Sequence, residues 1–408
     1  MRGTRLILAA AVSVNASYTV LIPFVPDLAD RAGAGPAVIA LTFALFAATK
    51  SLAQPVGGWW TDRWRAGPVA CASLLIAAAG IVLTAVARDP VTLLAGRAVW
   101  GIGEGLVSPA LYAGMSALCR VHRLSTSRMM GNFSSAAVAG FLLGPLVAGL
   151  AAPLELGTLF AIGAALTAAT ALGLLRAIPD VPPEPVPVAV AVGETGPQWW
   201  RWVLVIGLLD LFTSVIYTSL EPVLPLYLSA GRPASARTAI SAVFVVGLAT
   251  SGVAMWWLGR HTERLRPLRL VLAGLPVLGA GLAGIGLFAG VFAVAGWLVL
   301  FMVGYALLFL AARRAILELP AAKTHQGKAF GLFGAVSDVG NVAGPVLGTV
   351  LYELTGRLAF VLLGALPGVL LGALLATTGR RAAKPVLAPS GAGSCTPGTA
   401  SHRTADAA

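Results

Sequence analysis

Six ionisable side chains fall inside long apolar stretches: Lys50, Arg97, Glu104, Asp210, Glu221 and Asp338. A charge at the centre of a lipid bilayer costs about 2.5–3.5 kcal/mol even by the most lenient scale, so each must face a cavity or a partner. A carboxyl group held away from water can exchange a proton near neutral pH. A cationic solute favours the ionised form of the same group, so proton and cation compete for one site. Glu104 follows Arg97 by seven residues, two helical turns along one face, which makes Glu104 the first candidate proton site and Arg97 the group that tunes it. Asp210 and Asp338 are the next candidates, and Lys50 is expected to pair with one of them. Glu221, between Leu220 and Pro222, is expected to line the cavity mouth. Asn15, Tyr18, Trp100 and Tyr217 offer polar and aromatic groups to the same space.

Motifs for other chemistries are missing from the sequence. There is no G-x-x-x-x-G-K-[ST] loop to hold a nucleotide triphosphate. Gly101-Ile102-Gly103-Glu104-Gly105 lacks the last glycine spacing of a dinucleotide loop. His122, His261, His325 and His402 are scattered without an H-E-x-x-H pair, and Cys71, Cys119 and Cys395 form no C-x-x-C. Neither a metal site nor a disulfide framework is expected, no cofactor is called for, and no nucleophile–base pair suggests an enzyme.

The elements that carry these residues follow from composition. Of 408 residues, 58% are hydrophobic and 11% charged, and the mean hydropathy is +0.87. A soluble domain is about 45–50% apolar and about 25% charged, so this chain has too few ionisable groups to cover a water-facing surface. With about 20 residues per membrane helix, the apolar runs predict an all-α integral membrane protein of twelve transmembrane helices. Their predicted limits are 6–28, 36–60, 67–87, 91–113, 129–152 and 154–176, then 202–228, 237–258, 268–288, 290–312, 327–352 and 357–378. Residues 1–178 form one six-helix bundle and 199–380 a second. The proline-rich segment 179–198 reads as an extended linker and 381–408 as a disordered tail. The first apolar run is longer than a signal-peptide core, so it is expected to be retained as a span.

The net charge of +12 has a topological source. With the N-terminus inside, 21 of the 28 Lys and Arg fall in cytoplasmic segments, while Arg31, Arg88, Arg232, Arg237 and Arg357 fall outside. The positive-inside rule then puts both termini in the cytoplasm. It also removes the nucleic-acid reading that such a charge would otherwise invite.

The chain repeats itself. Tyr18 to Pro26 matches Tyr217 to Pro225 at an offset of 199 residues, Thr61-Asp62-Arg63 matches Thr262-Glu263-Arg264 at 201, and Gly140, Gly144 and Pro145 recur as Gly340, Gly344 and Pro345 at 200. Three matches in one order indicate a duplication. Gly58-Trp59-Trp60-Thr61-Asp62-Arg63 resembles the loop between helices 2 and 3 of the major facilitator superfamily. Arg65 stands where that motif has its second glycine. Arg97 with Gly101 and Gly103 is similar to the superfamily's helix-4 motif. Ala136-x3-Gly140-x3-Gly144-Pro145-x2-Ala148-Gly149 resembles its helix-5 motif, with alanine at two glycine positions.

The resemblance spans residues 6–378. It implies substrate binding near the midplane between two halves and a conformational latch at Gly58, Asp62 and Arg63, repeated at Gly259, Glu263 and Arg264. The helix-5 motif points to the drug and metabolite antiporters, hence to proton-driven export of a small organic compound across the cell inner membrane. Its partners would be that compound, protons and the bilayer, and the working unit a monomer. A proton-coupled or facilitative importer keeps the same fold, and a non-transporting membrane sensor or scaffold is a reading of another class.

Overall fold

The computed structural model describes residues 2–151, 154–179, 199–230, 236–262, 265–318 and 326–382. Twelve long helices make up nearly all of them, and no strand occurs among the described residues. Span 1 is Arg2–Val20, prolonged through the turn Ile22–Phe24 into Val25–Ala32. Spans 2 to 6 are Pro36–Arg63, Ala66–Val86, Pro90–Val121, Thr126–Leu150 and Leu156–Ala177. Spans 7 to 12 are Trp199–Ser229, Ala236–His261, Pro267–Leu287, Val291–Glu318, Gln326–Thr355 and Leu358–Ala382. Among the described residues, nine helices are long and apolar enough to cross a membrane. Span 4 is not among the nine, because Arg97, Glu104 and several glycines interrupt its apolar character. The protein is a multi-pass membrane protein, and the predicted twelve-helix fold is the one observed.

Local chemistry sets the helix ends. Proline opens spans 2, 4 and 9 at Pro36, Pro90 and Pro267, where its missing N–H costs nothing. Asp89 caps span 4 by accepting from the Thr92 amide at 2.9 Å and its hydroxyl at 2.6 Å. Those bonds hold the Asp89 carboxyl below its ordinary range. The capping stabilisation is therefore present at neutral pH and disappears as the pH falls through that lowered value. Span 4 runs eight residues past its predicted end at 113. Met115 and Leu118 there are buried in an apolar cluster with Cys71 and Ile178, so packing, not bilayer thickness, sets its length.

The duplication is visible in the packing. Gly140 of span 5 lies on span 1, and Gly340 of span 11 lies on span 7. A Cβ at Gly140 would sit 2.6 Å from the Val12 carbonyl oxygen and 3.0 Å from Asn15 Cβ. At Gly340 it would sit 2.5 Å from the Leu211 oxygen and 3.0 Å from Ser214 Cβ. Both contacts keep the sequence offset, with Val12 and Asn15 answering to Leu211 and Ser214. Small residues at a helix interface let two backbones approach closely. Span 3 packs on span 4 at Gly80 and Trp100, and span 9 on span 10 at Gly281 and Phe301, again in register.

The two halves meet along spans 2 and 11 and along spans 5 and 8. The C-terminal ends of spans 2, 4, 8 and 10 carry Arg63, Arg120, Arg260 and Arg313 and define a basic face. The C-terminal ends of spans 1, 3, 5, 7, 9 and 11 lie at the face opposite. Three polar links join the halves toward that opposite face. Tyr18 donates to Glu221 at 2.6 Å. Arg237 donates to both carboxylate oxygens of Asp27, at 2.9 and 3.3 Å, and to the Leu154 carbonyl at 3.3 Å.

Candidate functional site

A cavity of about 340 Å³ lies between the halves, bordered by spans 1, 2, 4, 5, 7, 8, 10 and 11. Four of its lining residues are charged: Lys50, Glu104, Glu221 and Asp338. Tyr18 and Glu221 close it toward the face opposite the basic one. In the other direction it extends past Ser51, Gln54, Met255 and Phe309, and the Lys50 side chain is 34% exposed.

Glu104 is 3% exposed and fully engaged. Lys50 Nζ lies 2.9 Å from its Oε2, and Trp100 Nε1 donates to its Oε1 at 3.1 Å. The expected pairing of Lys50 with an aspartate is therefore corrected: the lysine reaches across from span 2 to span 4. Asp210 pairs with Arg313 at 2.6 Å and accepts from Ser337 at 2.6 Å. Asp338 lines the cavity with one recorded hydrogen bond, from Asn341 Nδ2 at 3.2 Å. Glu221, 7% exposed, holds the cross-half bond from Tyr18.

Arg97 is fully buried and does not reach out to an interface. Its guanidinium lies 4.4 Å from the Phe46 ring centre, 4.9 Å from Trp100, 5.4 Å from Phe43 and 5.5 Å from Tyr18. Its Nε donates to the Thr42 carbonyl at 3.2 Å, while Nη1 and Nη2 have no hydrogen-bond partner within reach among the described residues. Ring faces carry partial negative charge and attract a desolvated cation, so this box holds Arg97 without a carboxylate. Arg97 thus stands one layer behind the cavity wall. Trp100, expected in the lining, stands there too: at 1% exposure it braces Glu104 from behind. Asn15, Tyr18 and Tyr217 do line the cavity.

The charged groups break the symmetry of the duplication. At the observed offsets, Arg97 and Glu104 answer to Leu298 and Tyr305, and Lys50 answers to Ser251. In the other direction, Glu221 and Asp338 answer to Ile22 and Val138. The packing is shared between the halves, whereas each cavity charge belongs to one half only.

The latch residues sit on the basic face. Asp62 is exposed and makes no ion pair among the described residues, and Arg63 lies over the Trp59 ring at 5.8 Å. Gly58 faces open space, while its neighbour Gly57 rests on the backbone of Leu106. Glu263 and Arg264 lie outside the described residues. Gly259 offers its carbonyl to Arg314 at 2.9 Å, and Arg314 also reaches the Thr262 carbonyl at 2.5 Å. In the helix-5 motif, Gly144 packs on Thr19 and Gly344 on Thr218, each within its own half. Gly149 instead faces Ser241 across the halves, where an added Cβ would sit 2.9 Å from Ser241 Cβ. Pro145 and Pro345 lie inside spans 5 and 11 without ending them.

Sequence reasoning missed Arg313, Arg314 and the Asp27–Arg237 pair. The arginines of span 10 follow directly on its apolar run and were counted with the loop. Asp27 and Arg237 are distant in sequence and meet only when the halves assemble.

A search by sequence against proteins of curated function finds no match. By structure, the chain is similar to the nucleoside transporter NupG, with a TM-score of 0.75 at 13% identity over 93% of this chain and 99% of that one. It is also similar to the transporter PepTSo of the POT family, with a TM-score of 0.71 at 14% identity over 93% and 98%. The human organic anion transporter MFSD10 (TETRAN) gives 0.64 at 20% identity over 91% and 99%. At such identities these likenesses show a common fold. The Major Facilitator Superfamily model matches residues 7–312 and 206–401, together nearly the whole chain. The chain therefore belongs to the Major Facilitator Superfamily, a membrane transporter and not an enzyme.

Proposed function

We propose that this transporter exports a small organic compound, a drug or a secondary metabolite, in exchange for protons. It does so by alternating access in a cell inner membrane, with the basic face and both termini in the cytoplasm. The observation that carries the reading is the Tyr18–Glu221 hydrogen bond. It places a carboxylate of one half against a hydroxyl of the other, at the closed end of a charged cavity. A proton that Glu221 carries in from the far side leaves toward the basic face; the restored charge then strengthens this bond and keeps the far side closed until cargo is loaded. Proton binding and opening then share one atom pair.

Glu221 is assigned the exchanging proton in this conformation because its hydrogen-bond partner among the described residues is a neutral hydroxyl. Glu104 is held by Lys50 and Trp100 instead. Arg97 stands behind Tyr18, and the Asp210–Arg313 pair holds span 7 to span 10. As the halves rock, the basic-face ends converge and Asp62 and Arg63 engage the opposite half as the latch. The smooth faces at Gly140, Gly144, Gly340 and Gly344 keep spans 5 and 11 fixed to spans 1 and 7 during that motion. The monomer is the working unit.

Everted vesicles energised to an acidic interior and loaded with a pH-sensitive dye test this reading. A compound that releases the stored protons identifies antiport. A compound that acidifies the lumen further, or moves without any pH change, identifies uptake or facilitated diffusion in the cell. NupG is a nucleoside transporter and MFSD10 an organic anion transporter, so nucleosides and organic anions belong in the screen. Silence with every compound favours a sensor or scaffold.

A further inference from the structure

The cavity holds more carboxylate than the residues around it neutralise. One lysine lines it against three carboxylates, and Lys50 is already spent on Glu104. Arg97, behind the ring wall, balances one more charge at a distance. Asp210 carries its own partner, Arg313, and so contributes no net charge. Asp338 remains. Its recorded hydrogen bond is the one from Asn341, and among the described residues it makes no ion pair. Its counterpart Val138 lines the same cavity, so packing at this position does not require an acid.

Much of the remaining lining offers ring faces. Tyr217 and Tyr305 stack with centres 4.6 Å apart and 23° between planes, and Phe46, Phe141 and Phe309 complete the wall. An unpaired carboxylate beside several aromatic faces is the environment that attracts an organic cation. It rejects an anion, and a neutral molecule would leave Asp338 shut away from water with no opposite charge beside it. We propose that the cavity takes an organic monocation bearing an aromatic ring, its charged nitrogen seated against Asp338. This assignment rests on the reading that the cavity is the transport site. Asp338 is then the anchor for cargo, while Glu221 carries the proton.

The test measures binding to the full chain in lipid nanodiscs with no gradient present. Tritiated 1-methyl-4-phenylpyridinium is the probe. Its uncharged isostere 4-methylbiphenyl and the anion biphenyl-4-carboxylate are the competitors. The expected result is saturable binding of the cation, at least about tenfold tighter than its isostere, with no displacement by the carboxylate. Asp338→Asn should weaken the cation by about tenfold or more and leave the isostere unchanged, and Asp338→Glu should restore part of the loss. No saturable cation binding, equal competition by isostere or anion, or full affinity in Asp338→Asn would overturn the proposal. If Asp338→Asn does not yield a monodisperse protein, the ranking of the three compounds on the unaltered chain decides. Since no gradient is involved, the cargo class can fail while proton release still supports export. Intact cation binding without proton release sinks the export reading alone.

Discussion

Lys50 Nζ stands 2.9 Å from Glu104 Oε2, tying span 2 to span 4 within the first half. The two ends of this pair differ in their access to water: the lysine side chain is 34% exposed and the glutamate 3%. Spans 2 and 4 therefore move as one body, and the carboxylate depends on the lysine more than the lysine depends on it.

The two single substitutions should consequently differ in cost. Removing one partner of a fully buried pair costs about 3–5 kcal/mol, and water reaching Lys50 puts this pair below that range. Lys50→Met strands Glu104 and should lower the melting temperature of the purified protein more than Glu104→Gln. The double substitution should recover most of the loss. Equal effects of the two single changes, or a double variant no better than Lys50→Met, would contradict the pairing.

The Asp27–Arg237 link holds the face opposite the basic one closed. Arg237 also lies over the Phe24 ring at 4.2 Å, so its removal takes away an ion pair and a ring contact together. Arg237→Ala should let a membrane-impermeant maleimide reach a cysteine placed at Asn341 from that face several times faster than before. The background for this measurement replaces Cys71, Cys119 and Cys395 with alanine. An unchanged labelling rate would show that the link plays no part in closure.

Gly140 and Gly58 belong to two motifs and should respond in opposite ways to alanine. A methyl at Gly140 meets the Val12 carbonyl at 2.6 Å, whereas at Gly58 it meets nothing within 4 Å. Overpacking costs about 1–3 kcal/mol, so Gly140→Ala should lower thermal stability and Gly58→Ala should not. Gly340→Ala should behave like Gly140→Ala because its contacts repeat in the second half. A destabilised Gly58→Ala beside an unaffected Gly140→Ala would refute this placement.

The fold was legible because membrane insertion leaves a strong trace in composition, and because a duplication of about 200 residues can be read from Tyr18 and Tyr217, or Gly140 and Gly340. Cavity charges were legible too, since Lys50, Glu104, Glu221 and Asp338 stand out in apolar runs, as does Arg97 behind them. Their pairings were not. Lys50 finds Glu104 because spans 2 and 4 are neighbours, and helix order alone does not say which faces meet. Trp100 was placed in the lining by its type, but it faces the interior of its own half and props Glu104. Arg313 was lost to a boundary set by hydropathy, although span 10 continues to Glu318 and brings the guanidinium to Asp210.

Charge arithmetic at the site predicts how transport is driven. A cavity that alternates between one proton and one organic monocation moves no net charge in a full cycle. A pH gradient across proteoliposomes should drive cation accumulation, while a potassium potential set with valinomycin, at equal pH, should drive none. Accumulation driven by the potential alone would show a different proton-to-cargo ratio.

Glu221→Gln gives the most direct test of proton exchange at the Tyr18–Glu221 contact. In everted vesicles it should abolish proton release on adding a transported compound, yet retain counterflow of labelled compound against unlabelled, because cargo exchange needs no proton. Glu104→Gln, measured beside it, should still release protons at a reduced rate. Full proton release by Glu221→Gln would contradict the assignment.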